Sequence, residues 1–197
     1  MAEYRRIEQL RDEVVAIRPV YSETGNITEL ILRSGERVVD KRIVNSTINA
    51  LAKAFAIDLH AQRQQSQTVL GRKGAPFPFH LPPRRVFIPL KMRRPMAEKD
   101  SAYGYVELDY VGDIQAHSSR ECVLTLANGP SLPICSSRKT ILSAQRDGQE
   151  VLEHLEQEKN PEPMDDQVQH AINILVYFLA TMLARQLHHI TDENPVR

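Results

Sequence analysis

The sequence predicts an α+β fold: a mostly antiparallel β core with a central amphipathic helix, a helix after the last hairpin, and a separate C-terminal helix. Two observations carry this. From Val14 to Cys135, short apolar runs are separated by Gly, Pro, Asn and Ser turn signals. Between and after those runs, apolar residues recur at helical spacing. The domain reading is a β-rich domain over 1–159, a linker at 160–163 (NPEP), and a C-terminal helix over 164–197.

Residues 1–12 are expected as a short charged helix. Val14 to Val20 reads as a strand, Ser22–Asn26 (SETGN) as a turn, and Ile27–Leu32 as a second strand. Ser34-Gly35 turns the chain into a third strand around Arg37–Val39, which makes a meander. Asp40 opens the central helix, because Val44, Ile48, Leu51 and Phe55 share one face. That helix is expected to fray in the Gln-rich tract Gln62–Gln67. Gly71 to Arg85 (GRKGAPFPFHLPPRR) holds four prolines and two glycines, which argues against regular hydrogen bonding along it. Phe77 and Phe79 read as its anchors to the core.

Strands resume at Arg85–Pro89 and Ala102–Asp109. In the second run, Tyr103, Tyr105 and Glu107 share one face and Val106 and Leu108 the other. Glu107 and Asp109 read as acids on the exposed face of an edge strand. CVLTLANGPSLPIC is a hairpin around Asn128-Gly129. A two-residue turn would pair Cys122 with Cys135; Pro130 also leaves room for a longer loop. The cysteines read as small core residues, with a disulfide as the alternative. Ser136-Ser137 caps the next helix, which lines its inner face with Ile141, Ala144, Val151, Leu152 and Leu155, with Gly148 as a weak point. The last helix runs from Asp165-Asp166 to about Ile190. Val168, Ile172, Leu175, Leu179 and Met182 alternate at +4/+3, the spacing of a helix-pairing seam. Packing on its own core and lying on a membrane surface are the other readings of this helix.

With 25 basic and 25 acidic residues, net charge does not identify a partner, but the distribution does more. Leu59 to Ala97 holds no Asp or Glu, while Arg63, Arg72, Lys73, Arg84, Arg85, Lys91, Arg93 and Arg94 are all cationic. Asp147 to Asp166 reverses the sign, with eight acids against Lys159. A solvated loop would need no such exclusion of acids. A phosphate-binding surface would, since each phosphate contact displaces counterions. Extended arginines also suit a narrow A/T minor groove. Arg138 and Lys139 sit in the first turn of a helix, against its dipole. An anion at that terminus would relieve the opposition, so the pair is expected as a second phosphate clamp.

No nucleotide-loop, zincin or nucleophile-elbow motif occurs in the sequence, and the seven histidines lack metal-ligand spacing with Cys or Asp. No enzyme activity, cofactor, metal or small-molecule substrate is expected. The charged N-terminus and the short apolar runs predict a cytoplasmic protein with no membrane span.

The pieces VVDKRIVNSTINALAKAF (38–55), SQTVLGRKG (66–74), RRVFIPL (84–90), GYVELDYVGDI (104–114) and LTLANGPSLPICSSRKT (124–140) follow one another in an order that resembles the competence transcription factor ComK family. The resemblance spans about residues 13 to 150. It is similar, more distantly, to LytTR-type DNA-binding domains, whose last strand leads into a Ser-Arg helix start as Ser137-Arg138 does. The Asn128–Leu132 turn looks shorter than the family's, and the C-terminal helix is an addition. The resemblance implies a transcription activator that binds paired A/T-rich boxes largely through the minor groove, as cooperating dimers.

The expected interface is therefore Arg72, Lys73, Arg84, Arg85, Lys91, Arg93 and Arg94 with Arg138 and Lys139. Its partner is A/T-rich double-stranded DNA, bound by a homodimer joined through the C-terminal seam. The alternative is a protein-interaction module whose basic loop binds an acidic protein, or the chain's own 147–166 segment.

Overall fold

The computed structural model describes residues 4–23, 25–74, 76–98, 100–159 and 174–182. The fold is α+β. The chain divides into a compact unit, Met1–Leu155, and a second, Glu156–Arg197. The boundary falls inside a helix; the expected linker 160–163 lies outside the described residues.

Six strands form one antiparallel sheet: β1 (Val14–Ser22), β2 (Gly25–Leu32), β3 (Arg37–Asp40), β4 (Phe79–Leu81), β5 (Arg85–Lys91) and β6 (Tyr103–Glu107). Their spatial order is β3-β2-β1-β6-β5-β4. A second sheet is a meander of β7 (Val111–Ser118), β8 (Glu121–Leu126) and β9 (Ser131–Ile134). The helices are α1 (Val44–Ala54), α2 (Leu59–Val69) and α3 (Arg138–Lys159).

Alternation along the strands gives the large sheet two apolar faces. Val14, Ile17, Leu30, Leu32 and Phe87 face α1 through Val44, Ile48 and Leu51. Val15, Ile31, Val86, Ile88 and Val106 face the small sheet and α3 through Leu124, Leu132, Ile134, Ile141 and Leu152. A register shift between Val14 and Ala16 lets Val15 and Ala16 face the same side. The sheet is thus a middle layer, covered by helices on one side and by β-structure with α3 on the other.

Several elements differ from expectation. The N-terminal helix is a single 3-10 turn, Ile7–Gln9, preceded by a parallel bridge from Tyr4 to Val39 that covers the β3 edge. Asp40 does not open α1. It is buried, and it accepts hydrogen bonds from the Ile7 amide (3.1 Å) and from the amide (3.0 Å) and guanidinium of Arg42. Arg42 also clasps Glu8 at 2.7 Å. Where one fraying helix was expected there are two. Ala56, at φ 55°, ends α1, and the Asp58 carboxylate caps α2 by accepting from His60 and Ala61. The tract that reads as fraying instead buries Gln62, whose amide donates to the His80 carbonyl (2.9 Å) and accepts from the His80 amide (3.0 Å).

The proline-rich stretch is also more regular than expected. Phe79–Leu81 pairs with Arg85–Phe87 across a turn that contains the cis Pro82-Pro83 bond. Phe77 and Phe79 are both buried, and Phe79 stacks on Phe87 at 5.0 Å. The hairpin takes the longer loop: Leu126 donates to the Pro130 carbonyl, and Cys122 pairs with Ile134 and not Cys135. Both cysteines are free thiols. Gly148 is a close-packing site and not a weak point, because a Cβ there would lie 2.4 Å from Ile88 Cγ2.

Glu107 corrects the reading of an exposed acid on an edge strand. β6 is central, and Glu107 is 2% exposed. It accepts from Arg85 Nη2 at 2.8 Å and Nε at 3.1 Å, and from Arg33 Nη2 at 3.4 Å. Removing one partner of a buried ion pair strands the other. Glu107→Ala should therefore cost about 3–5 kcal/mol in chemical denaturation, and pairing Glu107→Leu with Arg85→Met should recover much of the loss.

Burial alone would raise the Asp40 carboxyl, but hydrogen bonds from Arg42 and Ile7 outweigh it and hold the group below the usual carboxylate range. The Arg42 hydrogen bond lowers Glu8 likewise. Both folded values lie below the unfolded ones, so this stabilisation is present above the unfolded pKa and lost as pH falls through the folded pKa. Stability should drop as pH falls below about 4, and Asp40→Asn should lower stability at neutral pH while flattening that acid limb.

Candidate nucleic-acid interface

The basic segment runs from α2 through a loop into β4, turns, and returns along β5. Antiparallel pairing of Phe79 with Phe87 and Leu81 with Arg85 sends its two halves to opposite ends of the hairpin. Arg72 and Lys73 precede β4 at one end, and Arg84 and Arg85 lie at the other. The expected single patch is therefore divided.

Arg85 does not join the surface. It is 7% exposed, and besides Glu107 it donates to the carbonyls of Arg11 (3.0 Å) and Val14. Its guanidinium is consumed by the core, so it cannot reach a phosphate without unfolding β5. Arg84, beside it, is exposed at the turn. Arg33 was missed by sequence reasoning. It reaches Tyr110 Oη at 3.0 Å and lies over that ring, next to Glu107.

The opposite end of the hairpin gathers more charge. The Cys135 amide donates to the Lys91 carbonyl at 2.7 Å, which ties the end of β9 to the end of β5. Three residues after Cys135, α3 begins with Arg138 and Lys139, both exposed. Ser137 caps the turn, its Oγ accepting from the Thr140 amide at 3.3 Å. Lys91, Arg138 and Lys139 are thus brought to one region by a backbone bond, with the Arg138 and Lys139 amides of the first turn beside them.

Arg93 and Arg94 follow on a braced loop. Asp100 accepts from the Tyr21 hydroxyl (2.6 Å), Asn26 (2.7 Å) and the Ala97 amide (3.0 Å), and these bonds keep its carboxyl below the usual range. Arg93 lies over the Tyr21 ring at 4.1 Å and donates to the Ser101 carbonyl. Its cation is partly occupied by the brace. Arg94 is largely exposed and pairs with Glu121 at 2.8 Å.

In the α2–β4 loop, Gly71 (φ 58°) and Gly74 (φ 111°) supply left-handed turns on either side of Arg72 and Lys73. Arg72 rests over the Phe77 ring at 5.1 Å and pairs with Asp147 of α3 at 2.5 Å. Lys73, Lys91, Arg138 and Lys139 have no carboxylate partner among the described residues.

No family model, curated protein or solved structure matches the chain. Among the described residues no group of His, Cys, Asp or Glu could hold a metal ion, and no helix is long and apolar enough to cross a membrane. Of the proposed seam, Leu175, Leu179 and Met182 lie in a helical stretch, 174–182, and are exposed. Val168 and Ile172 lie outside the described residues.

Asp147 and Arg72 form a partly exposed pair, which contributes about 0–1 kcal/mol. Asp147→Asn should leave the midpoint of chemical denaturation nearly unchanged, in contrast to Glu107→Ala.

Proposed function

We propose that the protein is a sequence-specific DNA-binding transcription regulator that acts in the cytoplasm as an activator on A/T-rich duplex DNA. The observation that carries this reading is the set of cations without internal partners. Lys91, Arg138 and Lys139 meet at the α3 start, and Lys73 extends the set along the α2–β4 loop. Cations in a first helical turn are unfavourable alone and become favourable beside a phosphate. The motif order resembling ComK, from Val38 to Thr140, supports the same reading and adds the A/T preference. The revised contact set is Lys73, Lys91, Arg94, Arg138 and Lys139, with Arg72 available once it leaves Asp147. Arg84 would meet DNA only on a separate surface, and Arg85 has no part in it.

Homodimer formation through the 174–182 helix belongs to the same proposal. Leu175, Leu179 and Met182 are exposed apolar groups at the alternating spacing of a pairing seam.

The second reading, a module for an acidic protein partner, is favoured by one contact: Arg72 already holds a carboxylate, that of Asp147. Deleting the acidic region to unmask the loop would also remove the buried core residues Val151 and Leu152, so a point substitution is the sound probe.

Binding should be measured by fluorescence anisotropy on an A/T-box duplex and a G/C duplex, each at several salt concentrations. The native protein should prefer the A/T duplex and show a steep salt slope. Arg138→Ala with Lys139→Ala should reduce that slope by about 1.8, and Asp147→Asn should tighten binding. Equal affinity for both duplexes sinks the sequence-specific reading; tight binding to poly-glutamate with none to DNA selects the acidic-partner reading. In sedimentation, Leu175→Glu with Leu179→Glu should convert a dimer into a monomer; an unchanged dimer removes the seam.

A further inference from the structure

A cavity of about 510 Å³ opens between α1, α2 and the loop that leads into β4. Its size is within the range of small-molecule sites. Aromatic rings make its wall: Phe77, Phe79 and Tyr105, with Phe79 and Tyr105 5.1 Å apart and tilted by 58°. Polar groups converge on it from two helices: Asn45 and Asn49 from α1, and Arg63 and His60 from α2, the last already engaged by Gln64 at 3.2 Å. No Asp or Glu lines it among the described residues.

The other polar groups have little to do within the protein. The side-chain amides of Asn45 and Asn49 and the hydroxyl of Tyr105 have no hydrogen-bond partner among the described residues, and Arg63 has no carboxylate. Arg63 instead lies over the Phe77 ring at 5.9 Å. Burial pushes the half-buried Tyr105 hydroxyl up to about 12, so it stays protonated and able to donate at neutral pH. Convergent, unengaged polar groups over an aromatic wall are the pattern of a preformed ligand site.

We propose that this cavity binds a small planar aromatic anion. The half-buried Tyr105 ring and the accessible rims of Phe77 and Phe79 would edge against the ligand's π-face. Arg63 would pair with its phosphate or carboxylate, and the two amides and Tyr105 would take up ring heteroatoms. The absence of acids makes the site cationic and excludes a basic ligand. Both a nucleoside monophosphate and an aromatic carboxylate have this chemistry. The inference stands apart from the DNA-binding reading, because none of the phosphate-contact residues lines the cavity.

Isothermal titration of the full chain tests it, with guanosine monophosphate and indole-3-carboxylate as aromatic anions and guanosine and inorganic phosphate as controls. At least one aromatic anion should bind, and guanosine or phosphate alone should bind at least about tenfold more weakly. The tighter of the two anions identifies the source. Arg63→Gln should weaken binding about tenfold, and Asn49→Ala should weaken it as well; both residues are exposed, so a thermal melt matching the native protein confirms folding. The site is overturned if neither anion binds at about 1 mM, if phosphate alone binds as tightly, or if both variants bind as the native protein does.

Discussion

The buried carboxylate of Glu107 is the constraint on which the large sheet depends. It sits on the central strand β6 and receives two guanidinium groups, Arg85 from β5 and Arg33 from the turn after β2. Arg85 then reaches on to the carbonyls of Arg11 and Val14, where β1 begins. One carboxylate thereby sets the relation of three strands and the chain entry. A charge so deep in a low-dielectric interior is tolerated only with such full pairing. It also fixes registry, because a one-residue slip of β6 would carry Glu107 to the opposite face, away from Arg85 and Arg33.

This arrangement decides how the cations of the basic segment divide. Holding Arg85 inward anchors one end of the β4–β5 hairpin in the core. The other end is then free to bring Lys91 against the close of β9 and the start of α3. The separation of core and surface roles among neighbouring arginines follows from geometry, since Arg84 lies in the exposed turn and Arg85 is the first, buried residue of β5. Charge interactions at the exposed end are screened by salt, whereas the core pair is shielded from it.

Much of the architecture was legible in the sequence. The meander, the amphipathic face of α1, the hairpin and the Ser-capped α3 all rest on local signals: alternation, helical spacing, Asn-Gly and a hydroxyl cap. What escaped were features that need a distant partner. Glu107 reads as an exposed acid until Arg85, 22 residues away in sequence, is placed beside it. Gln62 reads as part of a polar tract until His80 lies against it. The break between α1 and α2 had a local signal, Asp58 before a helical run, but Ala56 in a left-handed conformation gives no hint in composition. For the candidate site, the charge pattern marked the cations as one group, while the burial of Arg85 and the division of the rest between two ends depended on strand pairing. The cavity between α1 and α2 had no sequence signal, because its residues are drawn from five separate elements.

The pairing of Gln62 with His80 has a consequence for how copies of the chain can meet. β4 is short and stands at the margin of the large sheet, where open amides and carbonyls would invite another strand. The Gln62 side chain carries the same donor and acceptor as a peptide bond, and it satisfies both groups of His80 from within. Ser66 takes the Pro78 carbonyl a turn further along α2. The helix therefore acts as a counterfeit strand that terminates the sheet, and growth by edge-to-edge stacking is blocked at that margin.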